Sequence, residues 1–237
     1  MRLQGFNLLP PVVKNLLIIN ALMFLITIVL KNTGVNLTES FALYYFKSDF
    51  FRPWQLVTHM FMHGSFGHLF FNMFAVWMFG NSLENRWGSK RFLVFYMITG
   101  LGAAFLHSLV QHIEISQLAS QLNPEMVQRV FDNSTRGLDA ATYQTIYNIA
   151  HIPAVGASGA LFGVLMAFGM TFPNSILYLY FMIPVKVKYF VIVYGLIELF
   201  SGISGVADGV AHFAHLGGML FGYLLIKYWR KTDHYFY

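Results

Sequence analysis

The sequence predicts an all-α membrane protein, a bundle of six transmembrane helices with both termini on the cytoplasmic side. Three observations point there. Hydrophobic residues fill 57% of the 237 positions and charged residues only 11%, less than half of the roughly one quarter usual in a soluble domain. Apolar stretches long enough to cross a bilayer recur along the chain. The basic residues between them are unevenly distributed.

The first apolar run, Asn15–Leu30, follows MRLQGFNLLPPVVK. No small-residue cleavage site comes after it, so it reads as a retained span and not as a removed leader. Four stretches then lack Asp, Glu, Lys and Arg: Pro53–Leu83, Phe92–Ile113, Ala141–Val185 and Gly209–Ile226. Pro53–Leu83 exceeds one span, and HGSFGH (63–68) reads as a turn before the second helix proper. Ala141–Val185 is also too long, and its prolines (153, 173, 184) restrict the fourth helix to about Ser158–Phe172. Tyr189–Ala207, with its single Glu198, is the fifth span and Gly209–Ile226 the sixth.

Charge sets the orientation. With both termini inside, Arg2, Lys14, Arg86, Lys90, Arg91, Lys186, Lys188, Lys227, Arg230 and Lys231 are cytoplasmic. Lys31, Lys47, Arg52, Arg129 and Arg136 are external, which obeys the positive-inside bias. The chain is one domain, 1–237, with long external loops at 31–65 and 113–152. The second loop carries a polar, amphipathic-looking stretch (123–150) and an Asn133-Ser-Thr sequon of little weight. The expected setting is a bacterial inner membrane. A pI near 9.4 does not imply nucleic acid, because the basic residues lie between apolar segments instead of in patches. With no cysteine, disulfides and thiolate metal sites are excluded.

VGASGALFG (155–163) opens the fourth helix. Gly159 and Gly163 have the spacing that lets membrane helices approach closely, as do Gly218 and Gly222 in the sixth, and Ser158 alone would fit such a packing face. Other polar side chains in the bilayer change that reading, because they are costly there and usually face an interior cavity. His68 and Asn72, four residues apart, share one face of the second helix. His212 and His215 lie near the start of the sixth. Helices two, four and six all begin outside, so these groups lie at similar depth. A serine hydroxyl needs a base, and neutral imidazole serves at pH 7. Free N–H groups at the start of the fourth helix, with Asn72 and His68, supply donors for an oxyanion.

GASG (156–159), AHLGGMLFG (214–222) and HGSFGHLFFN (63–72) together resemble the three signature motifs of the rhomboid intramembrane serine proteases. PWQLVTHMFMH (53–63) and ENRWGS (84–89) are also similar to family sequence, and the likeness covers about residues 50–228. The resemblance implies a six-helix protease that cuts transmembrane protein substrates near the external face, without a cofactor. It assigns Ser158 as nucleophile and His215 as base, with Asn72, His68 and Gly156 in the oxyanion and substrate-stabilising set. Two departures stand out. Gln55 follows Trp54 where many relatives have Arg, which bears on the external loop more than on catalysis. Phe162 stands where some relatives have Tyr, which keeps a ring under the histidine but loses the hydroxyl.

Competing readings remain open at this level. His212 reads as packing or cavity-lining, and Asp208 as a helix-start residue rather than a triad member. Glu198 faces the cavity or an internal hydrogen bond, is read as protonated, and receives no catalytic role. His59, His63, His68, His212 and His215 raise a metal-transporter alternative, but no HExxH is present and no metal ligand set is assigned. The main rival is a catalytically inactive rhomboid-like protein that binds or escorts membrane proteins.

Overall fold

The computed structural model describes residues 7–120, 125, 128, 140–179, 182–204 and 210–232. These residues are mostly helical. The elements are α1 (Pro11–Lys31), the short α2 (Leu37–Phe41) and α3 (Gln55–Thr58), α4 (Phe66–Ala75), α5 (Asn81–Trp87), α6 (Ser89–Ser120), α7 (Ala140–His151), α8 (Ser158–Thr171), α9 (Val187–Ser204) and α10 (His212–Thr232). A π-helical turn over Val76–Gly80 joins α4 to α5 in one helical run. Among the described residues three helices, α1, α6 and α9, are long and apolar enough to cross a membrane, and α8 is a shorter apolar helix. The sequon at Asn133 and Asp208 lie outside the described residues.

Burial inverts the pattern of a soluble protein. Ten of the fourteen α8 residues are buried, whereas α1 and α9 leave Leu22, Leu25, Val29, Ile192, Val193, Ile197 and Phe200 exposed. Such a continuous apolar exterior is stable only against lipid, and α6, α8 and α10 pack against one another, with α10 in the most extensive contact with the other two. Glycine makes that packing possible. A Cβ on Gly218 would strike the backbone carbonyl of Gly159, and one on Gly222 would lie 3.1 Å from the Gly163 Cα. On its other side α8 meets α6, where Gly163 abuts Thr99 and Gly159 abuts Ala103. Gly217 of α10 likewise sits 2.9 Å, measured from its ideal Cβ, from the Gly102 carbonyl oxygen. The close approach therefore involves three helices and not only the fourth and sixth apolar segments.

Two polar clamps hold helix ends at one side of the bundle. Glu84 is almost fully buried and accepts from the amides of Val12 (2.9 Å) and Val13 (2.8 Å) and from the Ser89 hydroxyl (2.6 Å). The carboxylate satisfies otherwise unpaired N–H groups at the positive end of α1. Arg230 donates to the Met170 carbonyl at 2.6 Å and so closes the C-terminal end of α8.

Several boundaries differ from those expected. The third apolar segment continues as helix to Ser120, about 48 Å of rise against a core of about 30 Å, so the start of the 113–152 loop is helical. The segment between the fourth and fifth expected spans is an antiparallel hairpin, β1 (Ile176–Leu179) against β2 (Ile183–Lys186), with Ile176 paired to Lys186 and Leu179 to Ile183. The sequence reading ends the fourth helix at about Phe172 and assigns no element before Tyr189, and Pro184 sits in the second strand.

Candidate active site

Ser158 is the first residue of α8, and the chain before it is held from outside the helix. Leu43 and Ala154 exchange two backbone hydrogen bonds (2.9 and 2.8 Å), and the Gly156 amide donates to the His59 carbonyl at 2.9 Å. His59 in turn follows α3, whose first residue, Gln55, is fully buried. The Gln55 side chain accepts from the Arg52 amide (3.1 Å) and donates to the Phe50 carbonyl (2.9 Å). The residue that departs from the common family pattern thus organises the loop at 40–55. In this loop region burial lowers the imidazoles of His59 and His63 to about 4, so both are neutral at pH 7, and His68 adds a smaller repulsion at His63.

The turn into α8 requires glycine. Gly156 has φ +124°, and a Cβ there would lie 2.8 Å from the His68 ring and 3.6 Å from Asn72 Nδ2. His68 and Asn72 project from α4, whose start is capped by the Ser65 hydroxyl accepting from the His68 amide at 3.1 Å. Asn72 is buried, and its Nδ2 donor has no partner among the described residues. The His63 and His68 rings meet edge to face at 5.0 Å. Helix α8 has no side-chain N-cap beside this space, and the N–H groups of a helix's first turn have no intrahelical partner.

His215 lies on the first turn of α10. Ser158 Oγ is 2.9 Å from His215 Nε2, with the Phe162 ring stacked on the imidazole at 4.1 Å and 7°. Gly159 and Gly163 on α8, with Gly218 and Gly222 on α10, bring the two helices close enough for this contact. The structure thus gathers Ser158, His215, Gly156, His68 and Asn72 at one end of the bundle. His212 is buried beside them, on the wall of a cavity of about 200 Å³ shared with His107, Gln111 and Glu114. Among the described residues no group of three His, Cys, Asp or Glu side chains is arranged to hold a metal ion.

Glu198 is where the sequence reading falls short. It is 4% exposed, and its Oε2 lies 2.7 Å from His212 Nδ1 and 2.9 Å from His215 Nδ1. Both ring nitrogens converge on one carboxyl oxygen, so Glu198 makes the internal hydrogen bond that the sequence allowed, and the groups it faces are the two histidines of α10. A signal was present, since Glu198 is the one acid in a long apolar run, but helical periodicity does not say which neighbouring helix it faces.

An apolar helical bundle with a Ser–His pair inside it defines a class, an integral membrane protein with a polar site in its core. Comparison with known proteins gives the family. The Rhomboid domain profile matches residues 51–232. Over 184 residues the chain is 30% identical to Rhomboid protease AarA of Providencia stuartii, covering 73% of this chain and 54% of that protein. It is 27% identical over 140 residues to Rhomboid protease GlpG of Yersinia pestis (52% and 50%). It is 27% identical over 210 residues to the mitochondrial RHOMBOID-like protein 12 of Arabidopsis thaliana (87% and 55%). The chain spans about half the length of these curated relatives. It belongs to the rhomboid family.

Proposed function

We propose that this protein is an intramembrane serine endopeptidase that cleaves transmembrane protein substrates. The observation that carries the reading is the 2.9 Å contact between Ser158 Oγ and His215 Nε2 inside an apolar bundle. Ser158 donates its proton to Nε2 as Oγ attacks the scissile carbonyl, and the C–O bond forms as the carbonyl becomes an oxyanion. Asn72 Nδ2, the His68 ring and the backbone N–H groups at the start of α8 stabilise that oxyanion, while the Gly156 N–H is held by the His59 carbonyl and Gly156 serves by keeping room for the His68 ring. His215 then returns the proton to the departing amine as the C–N bond breaks. Water, activated by the same imidazole, releases the acyl group from Ser158.

The proposal includes six spans, formed by α1, the α4–α5 run, α6, α8, α9 and α10, with both termini cytoplasmic in a bacterial inner membrane. Ten inside against five outside basic residues support this orientation. The common depth of Ser158, His215 and Asn72 follows if their helices all start on the external side. The external loops at 31–65 and 113–152 belong to this one domain.

A fluorophosphonate probe tests the assignment. The wild type is labelled, and Ser158→Ala and His215→Ala are not. Label retained in Ser158→Ala refutes the nucleophile. A wild type that is never labelled, yet binds membrane proteins, identifies an inactive escort instead.

A further inference from the structure

His215 is fixed on three sides. Phe162 covers one ring face, Ser158 meets Nε2, and Glu198 of α9 meets Nδ1. The Glu198 carboxylate also accepts from His212 Nδ1 in a well-formed hydrogen bond of 2.7 Å. Its 2.9 Å contact with His215 is at ion-pair distance but off hydrogen-bond alignment, as befits a site whose bonds tighten only with substrate bound.

Resting on the proteolytic reading above, we propose that Glu198 is a positioning residue for His215, completing a Ser158–His215–Glu198 relay in which His212 anchors the carboxylate. An imidazole has one proton to place. A carboxylate oxygen at Nδ1 keeps that proton on Nδ1, which leaves the Nε2 lone pair facing the Ser158 hydroxyl. The opposite tautomer directs an N–H at Ser158 and has no basic lone pair there. When the Ser158 proton moves to Nε2, the ring carries a positive charge in an apolar bundle, and the adjacent carboxylate offsets it. No proton leaves Nδ1.

The other ionisable groups facing this pair do not supply that charge. His68 from α4 and His107 from α6 are near enough to interact with His215 but are themselves imidazoles. Tyr194, one turn before Glu198, carries a phenol and not a carboxylate. A carboxylate buried among apolar helices is costly unless paired, and both its partners are rings at the site. Packing alone would be served by an aliphatic residue at position 198.

The test compares wild type, Glu198→Gln, Glu198→Asp and Ser158→Ala in detergent or liposomes. Rates are normalised to folded protein by thermal unfolding. Glu198→Gln is expected to lower kcat and the fluorophosphonate labelling rate by about 10²- to 10⁴-fold, the upper end being the loss caused by an uncharged substitution behind a catalytic histidine. KM should change by less than about threefold, since uniform binding is untouched. Glu198→Asp, which retains the charge, should recover at least a tenth of the wild-type rate. Nitrogen-15 NMR of labelled histidine should show His215 protonated at Nδ1 in wild type and shifted toward the Nε2–H form in Glu198→Gln. Wild-type kcat and labelling in folded Glu198→Gln overturn the proposal, and so does a loss that unfolding alone accounts for. Should Glu198→Gln not fold, the decision passes to Glu198→Asp, where an unchanged histidine spectrum with unrecovered activity overturns it. If Ser158→Ala remains labelled, the proteolytic reading itself fails. If Ser158→Ala is silent and Glu198→Gln fast, only the relay fails.

Discussion

Adding one methyl group at Gly218 should disable the site without touching either reacting residue. The Gly218 Cβ would fall inside the van der Waals envelope of the Gly159 carbonyl oxygen, 2.9 Å from the Gly159 carbonyl carbon and 3.3 Å from the Gly163 nitrogen. All three are backbone atoms of α8, so no rotamer change relieves the clash. Restoring contacts of about 3.5 Å requires α8 and α10 to separate by on the order of 1 Å at that level. Ser158 adjoins Gly159, and His215 is one turn before Gly218. The same displacement therefore stretches the 2.9 Å Oγ–Nε2 contact to about 4 Å, beyond hydrogen-bond range. Misplacement on this scale costs about 10²-fold in rate, and overpacking costs about 1–3 kcal/mol in stability. The control is Gly195→Ala on α9, whose Cβ would meet only the flexible end of Met219, at 3.0 Å from Cε. Cleavage of a fluorogenic transmembrane substrate, with labelling by a fluorophosphonate, reads both variants. Gly218→Ala within twofold of wild type, with Gly195→Ala behaving the same, refutes the claim that α8–α10 contact at Gly218 sets the Ser158–His215 distance.

Further expectations concern single side chains. Asn72→Ala should lower kcat by about 10²- to 10³-fold through loss of one oxyanion donor, with little change in melting temperature; unchanged kinetics would remove Asn72 from that role. Phe162→Leu should lose the ring that stacks on His215 and slow labelling, whereas Phe162→Tyr should keep it, which labelling rates of the two variants compare directly. Glu84→Ala should leave the half-buried Val12 and the buried Val13 amides of α1 unpaired and destabilise the fold by about 2 kcal/mol or more. Thermal unfolding in detergent measures that change.

The residues nominated for the site were legible because polar groups are rare inside a bilayer and each must have a reason to be there. Ser158, His215, His68 and Asn72 stand out against apolar neighbours, and glycine spacing connects the helices that bear them. What sequence patterns could not supply was azimuth between helices. Glu198 is visible as an anomaly, yet only packing turns it toward His212 and His215. The contribution of α6 was missed for a similar reason. Thr99, Gly102 and Ala103 form an inconspicuous small-residue stretch until Gly159, Gly163 and Gly217 are seen against them. The β1–β2 hairpin eluded hydropathy because short apolar strands and the end of a helix have the same composition.

The Glu84 clamp also bears on the order of assembly. Its carboxylate reaches back 72 residues to Val12 and 71 to Val13, so α1 is made long before the group that seals its N-terminal end exists. During synthesis the first helix therefore waits in the bilayer as an independent segment, its terminal amides facing water or headgroups. It can lock only after the ENRWGS stretch has emerged and Ser89 has turned the chain into α6. A lesion at Glu84 should consequently appear first in newly made protein, as a first helix accessible to proteases or to misplaced partners, before any change shows in the mature protein.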